Sequence, residues 1–216
     1  MFKIQKLDLL ISLYIFCIAS AELMGAKTFP LFNIGDFKVH ASVAIFVFPL
    51  TFLINDIVTE VFGREKARSI IRSGLIVIAL ILLFSLVSTS LPPSQRFLSS
   101  EASYDNVFHK SARFAAASLL AFLISELLDV QIFTKIRDRF GKKALWFRAN
   151  ASNILSQLVD ATIFMTLAFY ALSSSMTENA SFILSLLIPY FLIRVAISVL
   201  ETPLVYLGVS WLKKDK

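Results

Sequence analysis

The chain has 216 residues, of which 57% are hydrophobic and 17% charged, and a mean hydropathy of +0.75. That balance excludes an ordinary soluble domain and points to a polytopic membrane protein of one domain, residues 1–216, whose first partner is the lipid bilayer. The net charge of +6 sits in short Lys/Arg clusters at the ends of apolar runs, a topology signal instead of a basic face, so nucleic acid is not an expected partner.

Six apolar segments, approximately 7–26, 40–62, 69–90, 110–134, 149–173 and 181–211, are each long enough to span a bilayer as a helix. The expected fold is therefore an all-α membrane protein, a bundle of six transmembrane helices. The first segment follows Lys3 and Lys6 and reads as a retained helix, since Asp8 and Glu22 weaken the pattern of a cleaved signal peptide ending at Ala19-Ser20-Ala21. A turn with Pro30, Asn33, Gly35 and Asp36 leads to the second segment, which has Thr51, Asn55 and Thr59 on one face and Asp56 and Glu60 beside it. A basic loop after Gly63 precedes the third segment, and a polar loop from Pro92 to Val107 follows it. The fourth segment holds Arg113, Glu126 and Asp129, and a second basic loop surrounds Gly141. The last turn, Ser173 to Asn179, opens a sixth segment that Pro189 and Pro203 are expected to break or bend.

Orientation follows from the basic residues. Lys3 and Lys6, the loop from Arg64 to Arg72, the loop from Lys135 to Arg148 and the tail Lys213, Lys214 and Lys216 fall on one side, fifteen against the four of Lys27, Lys38, Arg96 and Lys110. Both termini are therefore expected in the cytoplasm.

The fifth segment carries Asn150, Asn153, Gln157 and Asp160 at spacings of three, four and three, which places them on one narrow helical stripe. A charge facing lipid costs about 3 kcal/mol even on insertion scales, so the stripe should face protein or a water-filled cavity. On the sixth segment Tyr190, Arg194, Ser198 and Glu201 form another stripe. Arg194 and Asp160 fall near the same depth, where an ion pair or a shared ligand satisfies both. Asp129 and Glu126, close to a basic loop, read better as a clamp on a helix end. Arg113 and Glu22 are each open between an interfacial role and a functional one.

Carboxamides beside a carboxylate, with Phe164, Tyr190 and Phe191 as flat apolar walls, suit a planar heterocycle with an amidine-like donor edge such as a guanine ring. His40 and His109 lack metal-ligand spacing and Cys17 is alone, so no metal is expected. No Walker-type glycine loop exists, and no cofactor motif is present. An intramembrane enzyme would need a nucleophile with its base, or a ligand cluster, at one depth, and the carboxylates are scattered over several helices.

The order of motifs also resembles a known family. Phe48-Pro49-Leu50 through Asn55-Asp56 to Val61-Phe62-Gly63 and Ala67-Arg68 resembles the second-helix signature of the VUT family of bacterial membrane proteins, the queuosine precursor transporters. Arg113 with Ala117-Ser118, Ala121-Phe122, Asp129, Ile132-Phe133 and Arg137 continues the likeness. Trp146-Phe147-Arg148, Ser156 to Asp160, Phe164, Tyr190, a basic residue at 194 and Thr202-Pro203 before Tyr206 complete it. The resemblance implies a six-helix inner-membrane importer of 7-deazaguanine bases, small-molecule precursors of the tRNA nucleoside queuosine. Its matching positions are Asp56, Arg113, Ser118, Asp129, Gln157, Asp160, Tyr190 and Arg194. The chain departs from the family pattern at Arg194, where Lys is common, and at Glu60 and Glu201.

The candidate substrate-binding residues are thus Asp160, Gln157, Asn153, Asn150, Arg194, Tyr190, Asn55, Asp56 and Arg113. The sequence leaves two other readings open: the substrate-binding subunit of a multi-component vitamin or nucleobase importer, and a structural membrane subunit. The sequence also leaves room for a homo-oligomer.

Overall fold

The computed structural model describes residues 5–140 and 158–213, with all their side chains except those of Ile34, 126–140 and 194–202. Helix α1 (Lys6–Met24) is followed by strands β1 (Thr28–Ile34) and β2 (Phe37–Ser42), a 3-10 turn (Val43–Phe46), α2 (Phe48–Phe62), α3 (Arg64–Ser90) and α4 (Glu101–Phe140). Helix α5 (Leu158–Phe169) is described from Leu158 onward, and α6 (Met176–Lys213) closes the chain. Among the described residues five helices are long and apolar enough to cross a membrane, and α5 is a shorter apolar helix. The chain is a multi-pass, mostly helical membrane protein.

The hairpin corrects the all-α expectation. Thr28 to Ser42 alternates apolar and polar side chains and is punctuated by Gly35-Asp36, and the two strands pair antiparallel from Thr28↔Ser42 to Ile34↔Phe37. Gly35 has φ +59 and no non-Gly residue among those described has a positive φ, so the two-residue loop takes a form with only its first position left-handed, which suits glycine. Leu31 is the extra residue of a bulge between the pairs Pro30↔His40 and Phe32↔Val39. Val39 and Ala41 are buried, while Leu31 and Phe32 stay exposed. β2 packs on α6, where His40 Nδ1 lies 3.0 Å from Ser185 Oγ. The second span accordingly starts later than residue 40, with Pro49 in the first turn of α2, where its missing N–H costs nothing.

Two further boundaries move. The polar loop after the third span is short, because α4 already begins at Glu101. Helix α6 runs unbroken through Pro189 and Pro203, so these prolines do not end it. It starts where Ser175 and Glu178 form a reciprocal cap: the Ser175 N–H donates to Glu178 Oε2 at 2.9 Å and the Glu178 N–H donates to Ser175 Oγ at 3.2 Å. Asn179, buried in the same turn, accepts from the Ala171 N–H at 2.8 Å and donates to the carbonyls of Ala171, Ser174 and Ser175. The α5–α6 connection is thereby held by one side chain.

Among the described residues the apolar core has two parts. Leu10 and Tyr14 of α1, Ile54, Ile57 and Val58 of α2, Ala67 and Ile70 of α3, and Leu212 of α6 form the larger one. Phe114 and Ala117 of α4 with Ala168 of α5 form the smaller. Helix α3 turns Ile76, Leu80, Leu83, Phe84 and Val87 outward, the surface expected of a helix that meets acyl chains.

Candidate substrate cavity

Between the two core clusters lies a cavity of about 480 Å³ that draws on α1 to α6 and on the inner end of the hairpin. That volume is in the range of small-molecule sites. Its wall is largely apolar, with Phe48, Phe52, Phe114, Phe122, Phe164 and Tyr190 supplying ring faces and edges. Phe114 meets Phe164 edge-on with centroids 5.5 Å apart, and Tyr190 meets Phe48 edge-on at 6.0 Å, so neighbouring rings hold the walls in place.

A few polar groups converge on this apolar space. Asp160, which the third turn of α5 from its end presents to the cavity, accepts a hydrogen bond from Ser125 Oγ of α4 at 3.3 Å. Asn55 of α2 lines the cavity, and its Oδ1 is buried without a partner among the described residues. Glu22 of α1 is 6% exposed; its Oε1 accepts from Ser118 Oγ of α4 at 2.7 Å, and its Oε2 is buried with no partner among the described residues. Unpartnered buried acceptors each cost about 1–3 kcal/mol, so their presence in a cavity marks where a donor is received.

The structure brings Asp160, Asn55 and Tyr190 of the candidate set to this one cavity. Asp56, one residue and about 100° from Asn55, is exposed and is not among the lining residues. Arg113 is not among them either: its Nε donates to the Leu167 carbonyl at 2.7 Å and its Nη2 to the Tyr170 carbonyl at 2.6 Å, at the C-terminus of α5. These last carbonyls lack helical partners and carry the negative end of the helix dipole, so the guanidinium acts there as a C-terminal cap. Asn150, Asn153 and Gln157 lie outside the described residues, and the side chain of Arg194 does too.

Glu22 is a charged lining residue that spacing on the fifth and sixth segments does not find, and Ser118, its partner, is found only through the family resemblance. Glu22 sits near the end of its apolar run, where charges are cheap. The signal that reveals it is the series Tyr14, Ile18, Glu22, one stripe at intervals of four, all three of which line the cavity.

A largely apolar cavity with a few convergent polar groups inside a multi-span bundle is the arrangement of a membrane transporter for a small molecule. Residues 42–208 match the family model described as "Putative vitamin uptake transporter", and the chain belongs to that family. It is a transporter and not an enzyme. A probable queuosine precursor transporter of Bacillus subtilis (strain 168) is 28% identical over 209 residues, covering 93% of this chain and 83% of the relative. One of Haemophilus influenzae (strain ATCC 51907 / DSM 11121 / KW20 / Rd) is 31% identical over 137 residues, 63% of this chain and 55% of the relative. The queuosine precursor transporter of Escherichia coli (strain K12) is 30% identical over 134 residues, 61% of this chain and 56% of the relative. No solved structure matches.

Proposed function

We propose that the chain is a single six-helix domain of the bacterial inner membrane, with both termini cytoplasmic, that imports 7-deazaguanine bases, the precursors of queuosine. The observation that carries this reading is Asp160: a carboxylate within an apolar bundle, on the wall of a cavity lined by aromatic rings, with Ser125 as donor. A deazaguanine presents N1–H and an exocyclic amine side by side, and a carboxylate accepts both. Tyr190 and the phenylalanines stack on or abut the ring, and Asn55 receives a further donor with its open Oδ1. Asn150, Asn153 and Gln157 continue the Asp160 stripe, and Arg194 completes the site by binding the ring carbonyl or holding Asp160 ionised.

Uptake of radiolabelled base into cells that cannot synthesise it tests the reading. Asp160→Ala at normal expression should abolish accumulation in modified tRNA, whereas undiminished uptake would sink it. Thermal-shift assays of the purified protein against guanine, the 7-cyano and 7-aminomethyl bases and queuine should show stabilisation by the deazaguanines. A purely structural subunit would show none.

A further inference from the structure

Two of the serines of helix α4, Ser118 and Ser125, are seven residues apart and fall within about 20° of one helical face. Each donates to a carboxylate from a different helix. Ser118 Oγ reaches Glu22 Oε1 of α1 at 2.7 Å, and Ser125 Oγ reaches Asp160 Oδ1 of α5 at 3.3 Å. All four residues line the same cavity. The site therefore has two carboxylate levels, separated along α4 by about 10 Å at 1.5 Å rise per residue.

The levels differ in what they leave open. Glu22 is 6% exposed, and its Oε2 is buried without a partner among the described residues. Among the described residues its one polar contact is a neutral hydroxyl, which satisfies a single lone pair of a group able to accept about four hydrogen bonds. A carboxylate held this way is matched by a ligand that brings a charged, multi-donor group to it. In a 7-deazaguanine that group sits at the end of the bicycle opposite the amidine edge. The span from amidine edge to a nitrogen one carbon beyond the ring is roughly 6–7 Å, and hydrogen bonds of about 2.8 Å at each end extend it to about 12 Å. That length is within about 2 Å of the separation of the two levels along α4.

We infer that Glu22 is a specificity-determining residue that receives an alkylammonium substituent of the base while Asp160 holds the amidine edge, so that the 7-aminomethyl base is preferred to the neutral 7-cyano base. The inference rests on the reading of the cavity as a deazaguanine site. Glu22 lies outside residues 42–208, so the matched family model does not extend to it.

The test measures binding of the two bases to the purified full-length protein by thermal shift and calorimetry, in wild type, Glu22→Gln and Ser118→Ala. Wild type should bind the aminomethyl base at least tenfold more tightly. Glu22→Gln, which keeps the shape and removes the charge, should erase that ratio and leave the cyano base within about threefold of wild type, which also shows that the variant is folded. Ser118→Ala, which unties Glu22, should narrow the ratio. Equal binding of both bases by wild type, or a ratio that neither variant moves, overturns the inference while leaving the deazaguanine site standing. If wild type binds neither base, the inference and the site reading fall together.

Discussion

Replacing Arg113 by Ala separates a structural cap from a substrate ligand. In the structure the guanidinium makes two hydrogen bonds to the last carbonyls of α5, at 2.7 and 2.6 Å, and is not among the cavity-lining residues. A hydrogen bond involving a charged group contributes about 1.5–3 kcal/mol, and a cation at a helix C-terminus a further 0.3–1 kcal/mol or so. Arg113 is exposed, so water re-solvates part of what the side chain leaves behind. The net loss for Arg113→Ala is then about 2–3 kcal/mol, equivalent to roughly 5–10 °C for a chain of this size. Arg113→Lys, a point charge in place of a fork, should recover less than half of it. The assay is thermal stability in detergent, read by fluorescence-detected gel filtration, together with base affinity measured below the melting range. Lower stability with affinity within a few-fold of wild type is expected. An unchanged melting temperature with lost affinity would refute the cap and place Arg113 on the substrate path.

Asn179→Ala removes a buried carboxamide whose two N–H hydrogens are shared among three carbonyls and whose oxygen accepts from Ala171 N–H, and should cost about 2–4 kcal/mol in the same melting assay; no change would mean that the α5–α6 connection holds without it. Gly74→Val puts a Cβ 2.6 Å from Ile18 Cδ1 and 3.0 Å from Tyr14 Cε1, so both side chains must shift, at a cost of about 1–3 kcal/mol. Because Tyr14 and Ile18 line the cavity, base affinity should fall with stability in this variant, and wild-type affinity would argue that the α1–α3 contact is not coupled to the site. Gly35→Val, at φ +59 in the hairpin turn, should destabilise by about 1–2 kcal/mol, observable as faster proteolysis at the turn; an unaltered cleavage rate would count against the strained-turn account.

The membrane class, the approximate positions of the spans and the polar side chains of the fifth and sixth segments are legible in the sequence, because a bilayer imposes one length and one polarity rule on every crossing. The same rule hides the hairpin. Thr28 to Ser42 is as apolar as a helix end, and its period of two is visible only when the Gly35-Asp36 turn is read as the joint of two strands. Asp160, Asn55 and Tyr190 stand out as polar groups on apolar helices, and helical spacing is enough to find them. Asp56 and Arg113 stand out equally, yet rotation about the axis turns Asp56 away and a neighbouring helix end engages Arg113. A single chain's periodicity gives the face of each helix relative to itself but not to its neighbours. The pairing of Ser118 with Glu22 and of Ser125 with Asp160 needs helices 96 and 35 residues apart in sequence to meet. Sequence alone determined that this chain places polar side chains within a membrane. Only tertiary packing, which decides which faces meet across a cavity, put two carboxylates at two depths of one site.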